Sequence, residues 1–542
     1  MFKLNFFKKT INSLSVRWPE VLFSGIISML LTVGYILFTY QTIDITGLGK
    51  SLLVYVLGWL TTWFLVLFVL VGIKYLATQK QKTKKQISTK KISDRKFWLL
   101  TSLAIFVLYF PLILINQSVL TPDSWNSIGQ VVGDSPLSSV HPIIFTAFLG
   151  FFVNIGLFFG SFQFGLVLFS IAQSVILALI FGYVILWMRN ENLNRAFLIA
   201  TFIFYAILPI NAIAGIIMWK DILFAGFGLL LLILIRRLYV EKSAFFTKKN
   251  ITYFLLIAFL FCVWRNNGIY TYILSIILIA GISYRVFLNP KYVALLVAPL
   301  LLVGIYSISS FFISKPTSQA EAMSVPLQQI ARTVKYHGDT ISSENKATID
   351  EILPYEQLGK NYDPNLSDPV KSSFNVAVFN ENKAKYLKLW FDLFLDYKKT
   401  YVAAFLYNTY GYTYPLRASP TTTDLVLDNA SHLNAIKGYS DSGYESGGKE
   451  ATSKYRDLIM SPMALLRNIG FYTVVLLVAA YIAVIRRRFE LIGVFIVLFS
   501  LFLTTILGPV NGEFRYLYLF VIATPFVIGA AISNVNIRKG KE

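Results

Sequence analysis

The chain has 542 residues, of which 56% are hydrophobic and only 14% charged, with a mean hydropathy of +0.62. This composition excludes a soluble globular protein and describes a chain dissolved in lipid, most of it scaffold. The net charge of +21 does not point to nucleic acid, because its distribution follows the apolar runs.

A helix needs about 20 apolar residues to cross a bilayer. Runs of that kind predict twelve spans, near 21–40, 51–73, 97–116, 164–188, 197–216, 221–238, 251–265, 268–284, 292–314, 469–485, 489–508 and 515–533. The first lacks a short h-region with a small-residue cleavage site, so it reads as a retained span and not a signal peptide. Seven segments, 1–20, 74–96, 189–195, 236–249, 285–291, 486–490 and 538–542, hold 28 Lys and Arg against six acids. Everything else carries 21 bases and 22 acids. The positive-inside rule then places these segments, and both termini, in the cytoplasm of a multi-pass cell-membrane protein. A further apolar stretch, 142–160, would invert every later loop if it crossed. It is therefore laid along the outer interface or as a re-entrant helix.

Four regions follow: a hairpin with a basic cytoplasmic loop (1–96), a membrane core (97–314) with a first outer loop at 117–160, an extracytoplasmic domain (315–468), and a three-helix membrane segment (469–542). The extracytoplasmic domain carries 17 bases and 17 acids. Stretches 321–335, 344–352 and 380–408 show helical spacing, whereas the surroundings of Pro415 and Pro420 and the Ser/Gly/Asp-rich 440–448 read as turn and loop. No internal repeat is present, which gives an inverted-repeat transporter no support. One cysteine, Cys262, excludes an intrachain disulfide, a Cys-based zinc site and CxxC chemistry. His141, His337 and His432 are too scattered for a histidine-rich metal cluster.

An ionisable residue near the membrane, away from a cytoplasmic end, calls for a reason. Few qualify: Asp123, Asp134 and His141 in the first outer loop, Lys220 and Asp221, Arg265 before Asn266-Asn267-Gly268, and Glu513 and Arg515 followed by Tyr516. By the charge-derived topology all fall at the outer face. Together they would hold an anionic, lipid-linked group while a carboxylate takes a proton.

These residues carry a resemblance. Thr121-Pro122-Asp123-Ser124-Trp125 and the residues to Gln130, then Asp134 and Val140-His141-Pro142, look like the first outer loop of GT-C superfamily glycosyltransferases. In that family an acidic residue follows the first core span and an interfacial helix comes after it. Met218-Trp219-Lys220-Asp221 stands where the family often has a second outer acid. Arg265-Asn266-Asn267-Gly268 and Phe514-Arg515-Tyr516 resemble its outer basic positions, and 325–332, Val325 to Arg332, resembles a segment in a poorly characterised bacterial branch. The likeness runs from about 97 to 533, leaving the first two spans as an added hairpin.

The resemblance implies an all-α polytopic protein with a GT-C-like core. It also implies transfer of a sugar from a polyprenyl-phosphate donor to a cell-envelope glycan acceptor on the extracytoplasmic face, in a bacterium. Asp123 would be the general base, with Lys220, Arg265 and Arg515 stabilising the departing phosphate and Asp134, His141, Asp221 and Tyr516 lining the site. The sequence leaves metal use open: Asp123, Asp134 and Asp221 suit Mg²⁺ or Mn²⁺, and nothing in their spacing decides. Structural readings stand beside these: Asp123 as a helix N-cap, Asp134 as a turn residue, His141 as a loop hydrogen-bonder, Lys220 and Asp221 as a local ion pair, and Arg265 and Arg515 as snorkelling anchors. Tyr407, Tyr410, Tyr412 and Tyr414 suit either stacking on sugar rings or an interfacial aromatic belt. The rival functions are a transporter or flippase for a lipid-linked saccharide and a lipid-linked oligosaccharide polymerase or ligase.

Overall fold

The computed structural model describes residues 16–40, 52–78, 92–116, 118–283, 289–315, 319–417, 464–508 and 510–533. Among them every regular element is a helix, and extended backbone pairs only at isolated bridges. Apolar composition dictates this, since a backbone in lipid must satisfy its own N–H and C=O groups. The first membrane part is α1 (Trp18–Thr39), α2 (Leu52–Thr78), α3 (Asp94–Asn116), the short α4 (Pro122–Val132), α5 (Ile143–Phe158), α6 (Phe162–Asn190), α7 (Arg195–Ala206), α8 (Pro209–Ile216), α9 (Lys220–Glu241), α10 (Lys248–Val263), α11 (Asn266–Ile282) and α12 (Pro290–Ile313).

Among the described residues seven helices are long and apolar enough to cross a membrane: α1, α2, α3, α6, α9, α12 and the last helix with its leading turn, Phe514–Ile532. The count is eight if α7 and α8, bent by 44°, form one span. The expected twelve spans are thereby reduced by length. Helices α10, α11 and the later Ile469–Ile485 have 16, 17 and 17 residues, which rise about 24–26 Å against a hydrocarbon core of about 30 Å. The bend falls at Pro209, whose ring cannot continue the hydrogen-bond ladder. Asn211 answers it: its Nδ2 donates to the Phe204 carbonyl at 2.8 Å, and its Oδ1 accepts from the Tyr518 hydroxyl at 2.8 Å.

Between α12 and the last membrane helices lies an extramembrane domain of α13 (Ser324–His337), α14 (Ser343–Ile352), α15 (Tyr355–Asn361), α16 (Asp368–Lys371), α17 (Val376–Glu381), α18 (Lys383–Asp396) and α19 (Lys398–Tyr407). It has its own apolar core, including Leu327, Ile330, Ile349, Leu358 and Leu393. The fully buried Arg332 guanidinium lies 4.6 Å from the ring centres of both Tyr336 and Tyr407. The helical spacing over 380–408 resolves into three helices, because Asn382 caps α18 by accepting from Lys385 N–H and Tyr397 interrupts the run before α19. Pro420 and the 440–448 loop lie outside the described residues. The last described helices are α20 (Ile469–Ile485), α21 (Ile492–Thr505) and α22 (Tyr518–Ile532), and α9 and α22 are the most enclosed of the candidate spans.

Candidate functional site

Two short extended segments assemble the site. Val119 N–H donates to Ile216 O (3.0 Å) and Met218 N–H to Val119 O (3.1 Å), so the residues before α4 run parallel to those before α9. Ser124 Oγ donates to Met218 O at 2.9 Å, and Trp219 Nε1 to Thr121 Oγ1 at 2.8 Å. The first turns of α4 and α9 are thereby locked side by side. Thr121, not Asp123, is the N-cap of α4, in a reciprocal arrangement with Ser124. The Asp123 side chain is left pointing at α9, and its charge still suits a helix N-terminus.

Three further pieces join. The His141 loop is held by Asn266 Nδ2, which donates to the carbonyls of Ser139 and Val140. Arg265 occupies the tight junction of α10 and α11, where Gly268 is obligatory: a Cβ there would meet Phe261 O at 2.1 Å. Arg515 comes from the single turn Phe514–Leu517 that leads into α22.

The side chains then form one cluster. Asp123 Oδ2 accepts from Arg515 Nη1 at 2.7 Å and lies 3.8 Å from Lys220 Nζ. Lys220 Nζ donates to His141 Nδ1 at 2.8 Å, and Arg265 Nε pairs with Asp221 Oδ1 at 2.8 Å. Glu513 Oε1 is 3.6 Å from Arg515 Nε. The Tyr516 ring lies between the two guanidiniums, 4.7 Å from Arg265 and 5.3 Å from Arg515, while Trp219 covers Arg515 at 4.9 Å. Three carboxylates thus face three cations in a neutral cluster. Asp221 and Arg265 are its buried part; Asp123 is its most accessible acid, with 31% of its side chain exposed.

Burial alone would raise the Asp123 carboxyl, but the Lys220 ammonium and Arg515 guanidinium outweigh it and hold it well below the usual carboxylate range. Burial, then the neighbouring Lys220 charge, pushes His141 down to about 4. Neutral His141 therefore accepts from Lys220 through Nδ1, and its Nε2 is buried without a hydrogen-bond partner.

Asp134 stands apart. It is exposed in the turn after α4, with its N–H bonded to Gly129 O at 2.9 Å, which is the turn-residue reading. The three metal candidates do not converge. Asp123 and Asp221 are held by cations, and no three His, Cys, Asp or Glu side chains form a metal-binding group among the described residues. Tyr407, Tyr410, Tyr412 and Tyr414 are all buried, which removes them as sugar-stacking platforms: Tyr407, Tyr410 and Tyr414 pack against Leu37 of α1. Sequence reasoning assigned no role to Trp219, although it lies beside Lys220 in the motif quoted for that residue.

Asn511, which no sequence pattern marks, joins the extramembrane domain to the site. Its Nδ2 donates to Asn365 Oδ1 (3.0 Å) and Tyr407 O (2.8 Å), and its Oδ1 accepts from Gly411 N–H (2.7 Å). Gly512, at φ +66°, lets two backbones pass so closely that a Cβ would lie 3.0 Å from Gly411. Glu513 follows directly, so the domain fixes the loop that presents Arg515.

The chain belongs to a family of unknown function, DUF6020. The family match covers residues 132–540. It therefore includes His141, Lys220, Asp221, Arg265, Asn511, Glu513 and Arg515, while Asp123 lies nine residues before its start. No curated protein and no solved structure matches the chain.

Proposed function

We propose that this DUF6020 protein is a membrane glycosyltransferase that moves a sugar from a polyprenyl-phosphate donor to a hydroxyl of a cell-envelope glycan on the extracytoplasmic face. The observation that carries the reading is a partly exposed carboxylate, Asp123, shared by Arg515 and Lys220 where the first turns of α4 and α9 meet the Phe514–Leu517 turn. In this reading the GT-C-like core begins at α3, after the hairpin of α1 and α2, and both termini lie in the cytoplasm.

The electrostatics supply a mechanism. The resting cluster is neutral, and an arriving phosphate competes with Asp123 for Arg515 and Lys220. Losing those partners raises the carboxyl from its depressed range and restores its basicity. Asp123 then takes the acceptor proton as the hydroxyl oxygen bonds to the anomeric carbon. The bond from that carbon to the phosphate oxygen breaks, its electron pair leaves with the phosphate, and Arg515 and Lys220 meet the growing charge. Arg265, enclosed by Asp221 and the Tyr516 ring, holds the wall of the site.

The test is sugar incorporation by purified protein in bilayers given polyprenyl-phosphate sugars and envelope glycan. Wild type transfers sugar and Asp123→Asn does not; equal incorporation by both removes Asp123 as the base, and none by wild type with any such donor removes the transferase reading. A flippase would instead move the lipid-linked sugar between leaflets without forming a new glycosidic bond.

A further inference from the structure

The helix α18 is apolar over most of its circumference. At 100° per residue Lys385, Lys388, Asp392 and Asp396 fill a wedge of about 80°, and Lys383, its first residue, is the one charged side chain outside it. Tyr386, Leu389 and Leu393 face the domain core. Leu387, Phe391 and Leu395, spaced by four, are exposed on the opposite side, Phe391 by 50%. A helix apolar on two faces has a second surface to cover.

The position of the next helix indicates what covers it. Ala403 and Tyr407 of α19 pack against Leu37, in the last turn of the membrane helix α1, and the Tyr407 hydroxyl donates to Tyr40 O at 2.6 Å. Val402, exposed and adjacent to Ala403, therefore stands at the depth where α1 leaves the membrane. The stripe Leu387, Phe391, Leu395 ends in the last turn of α18, and α19, which carries Val402, begins directly after Tyr397. Exposed Lys383, Lys398 and Lys399, with Lys388, which pairs with Asp392 at 2.6 Å, lie on and just after this helix, as basic residues do on helices that lie in an anionic lipid interface.

We infer that α18 is an interfacial helix: its exposed apolar stripe rests in the acyl boundary of the bilayer, with the flanking lysines at the level of anionic headgroups. The occupant of this face is lipid, which anchors the extramembrane domain at its far side as Asn511 anchors it near the site.

The unmodified chain tests this in bilayers containing phosphatidylglycerol and a lipid with a photoactivatable group on its acyl chain. Adducts are expected on Leu387, Phe391 or Leu395 as well as on the exposed Phe311 and Phe312 of α12, which report that the reaction works. Adducts on α12 with none on α18 would overturn the assignment. Labelling gives a second reading, because Cys262, the one native cysteine, is buried. A fluorophore at Phe391→Cys should lose most of its emission to acyl-chain nitroxide lipids and resist aqueous iodide, with the opposite response at Lys388→Cys. Iodide quenching equal at both positions rejects lipid contact. So does protection of Phe391→Cys that disappears on diluting the protein in lipid, which would mark a second copy. Lys398→Gln with Lys399→Gln should weaken the acyl-chain quenching, and no change would remove the headgroup part of the proposal.

Discussion

The helix α9 carries charge at both ends, and the two ends are built differently. At its C-terminal end the fully buried Arg236 grips Glu191 with both nitrogens, at 2.9 and 3.1 Å, and stacks on Trp187. That fork-to-fork geometry specifies one partner and leaves the carboxylate little else to do. At its N-terminal end Lys220 sits in the helix's first turn, where the dipole disfavours a cation. It is held there by His141 at 2.8 Å and by Asp123 at 3.8 Å, which Arg515 also claims. One end is an anchor. The other is a network whose members have alternative partners, which is what an arriving anion needs if it is to displace one of them.

The contrast is broken most severely at Asp123. Asp123→Asn keeps the size of the side chain and removes the charge, and a lost general base lowers transfer by roughly 10²–10⁴-fold, read as initial rate per folded molecule. Retention of the rate would make the two ends of α9 alike, both structural. The same logic at the anchoring end predicts the reverse pattern. Glu191→Gln strands Arg236, and removing one partner of a buried pair costs roughly 3–5 kcal/mol, at the lower end here because Glu191 is partly exposed. The thermal unfolding midpoint in bilayers should fall while the rate of the protein that remains folded stays unchanged. A variant that loses rate without losing stability would show that charge at this end also serves the site.

How far the sequence reveals these features depends on range. Apolar runs are legible because a lipid-embedded backbone has no alternative to a helix. Which of them cross is less so: the 16 residues of α10 are apolar, yet crossing depends on length and on where neighbours end. Isolated charges against an apolar background announced Asp123, Asp221, Arg265 and Arg515, but not their partners. Nothing local tells Arg265 to take Asp221 or brings Arg515 to an aspartate 392 residues away; the parallel pairing of Val119 with Ile217 sets Asp123 beside Lys220, and the loop held by Asn511 presents Arg515. The clustered tyrosines near 410 misled for the same reason, since an aromatic pattern does not say whether solvent or α1 lies against it. Asn511 gave no signal because a buried asparagine acquires meaning only from the distant residues it bonds, Asn365, Tyr407 and Gly411.

His141 sharpens the comparison with the smallest effect, since it separates the network end from the anchor by pH alone. The groups around it are Lys220, Asp123, Arg515 and Asp221, and the balance of burial and charge lowers its value from 6.5 to about 4. Between those values the unfolded chain binds a proton that the folded chain refuses, so stability falls as pH falls through that window. The loss is about 1 kcal/mol by about pH 5.5 and larger toward the folded value. Asp123, also depressed, adds its own loss only below about 4, the unperturbed carboxylate value, as its ionised form is lost. His141→Gln leaves nothing to titrate here, and its unfolding midpoint should stay level between about pH 6.5 and 4.5 where the wild type declines. Parallel declines would mean that the proton goes elsewhere and that Lys220 is held without His141. With divergence established, Glu191→Gln provides the control: lower throughout, it should retain the wild-type slope, because its lesion lies at the far end of α9.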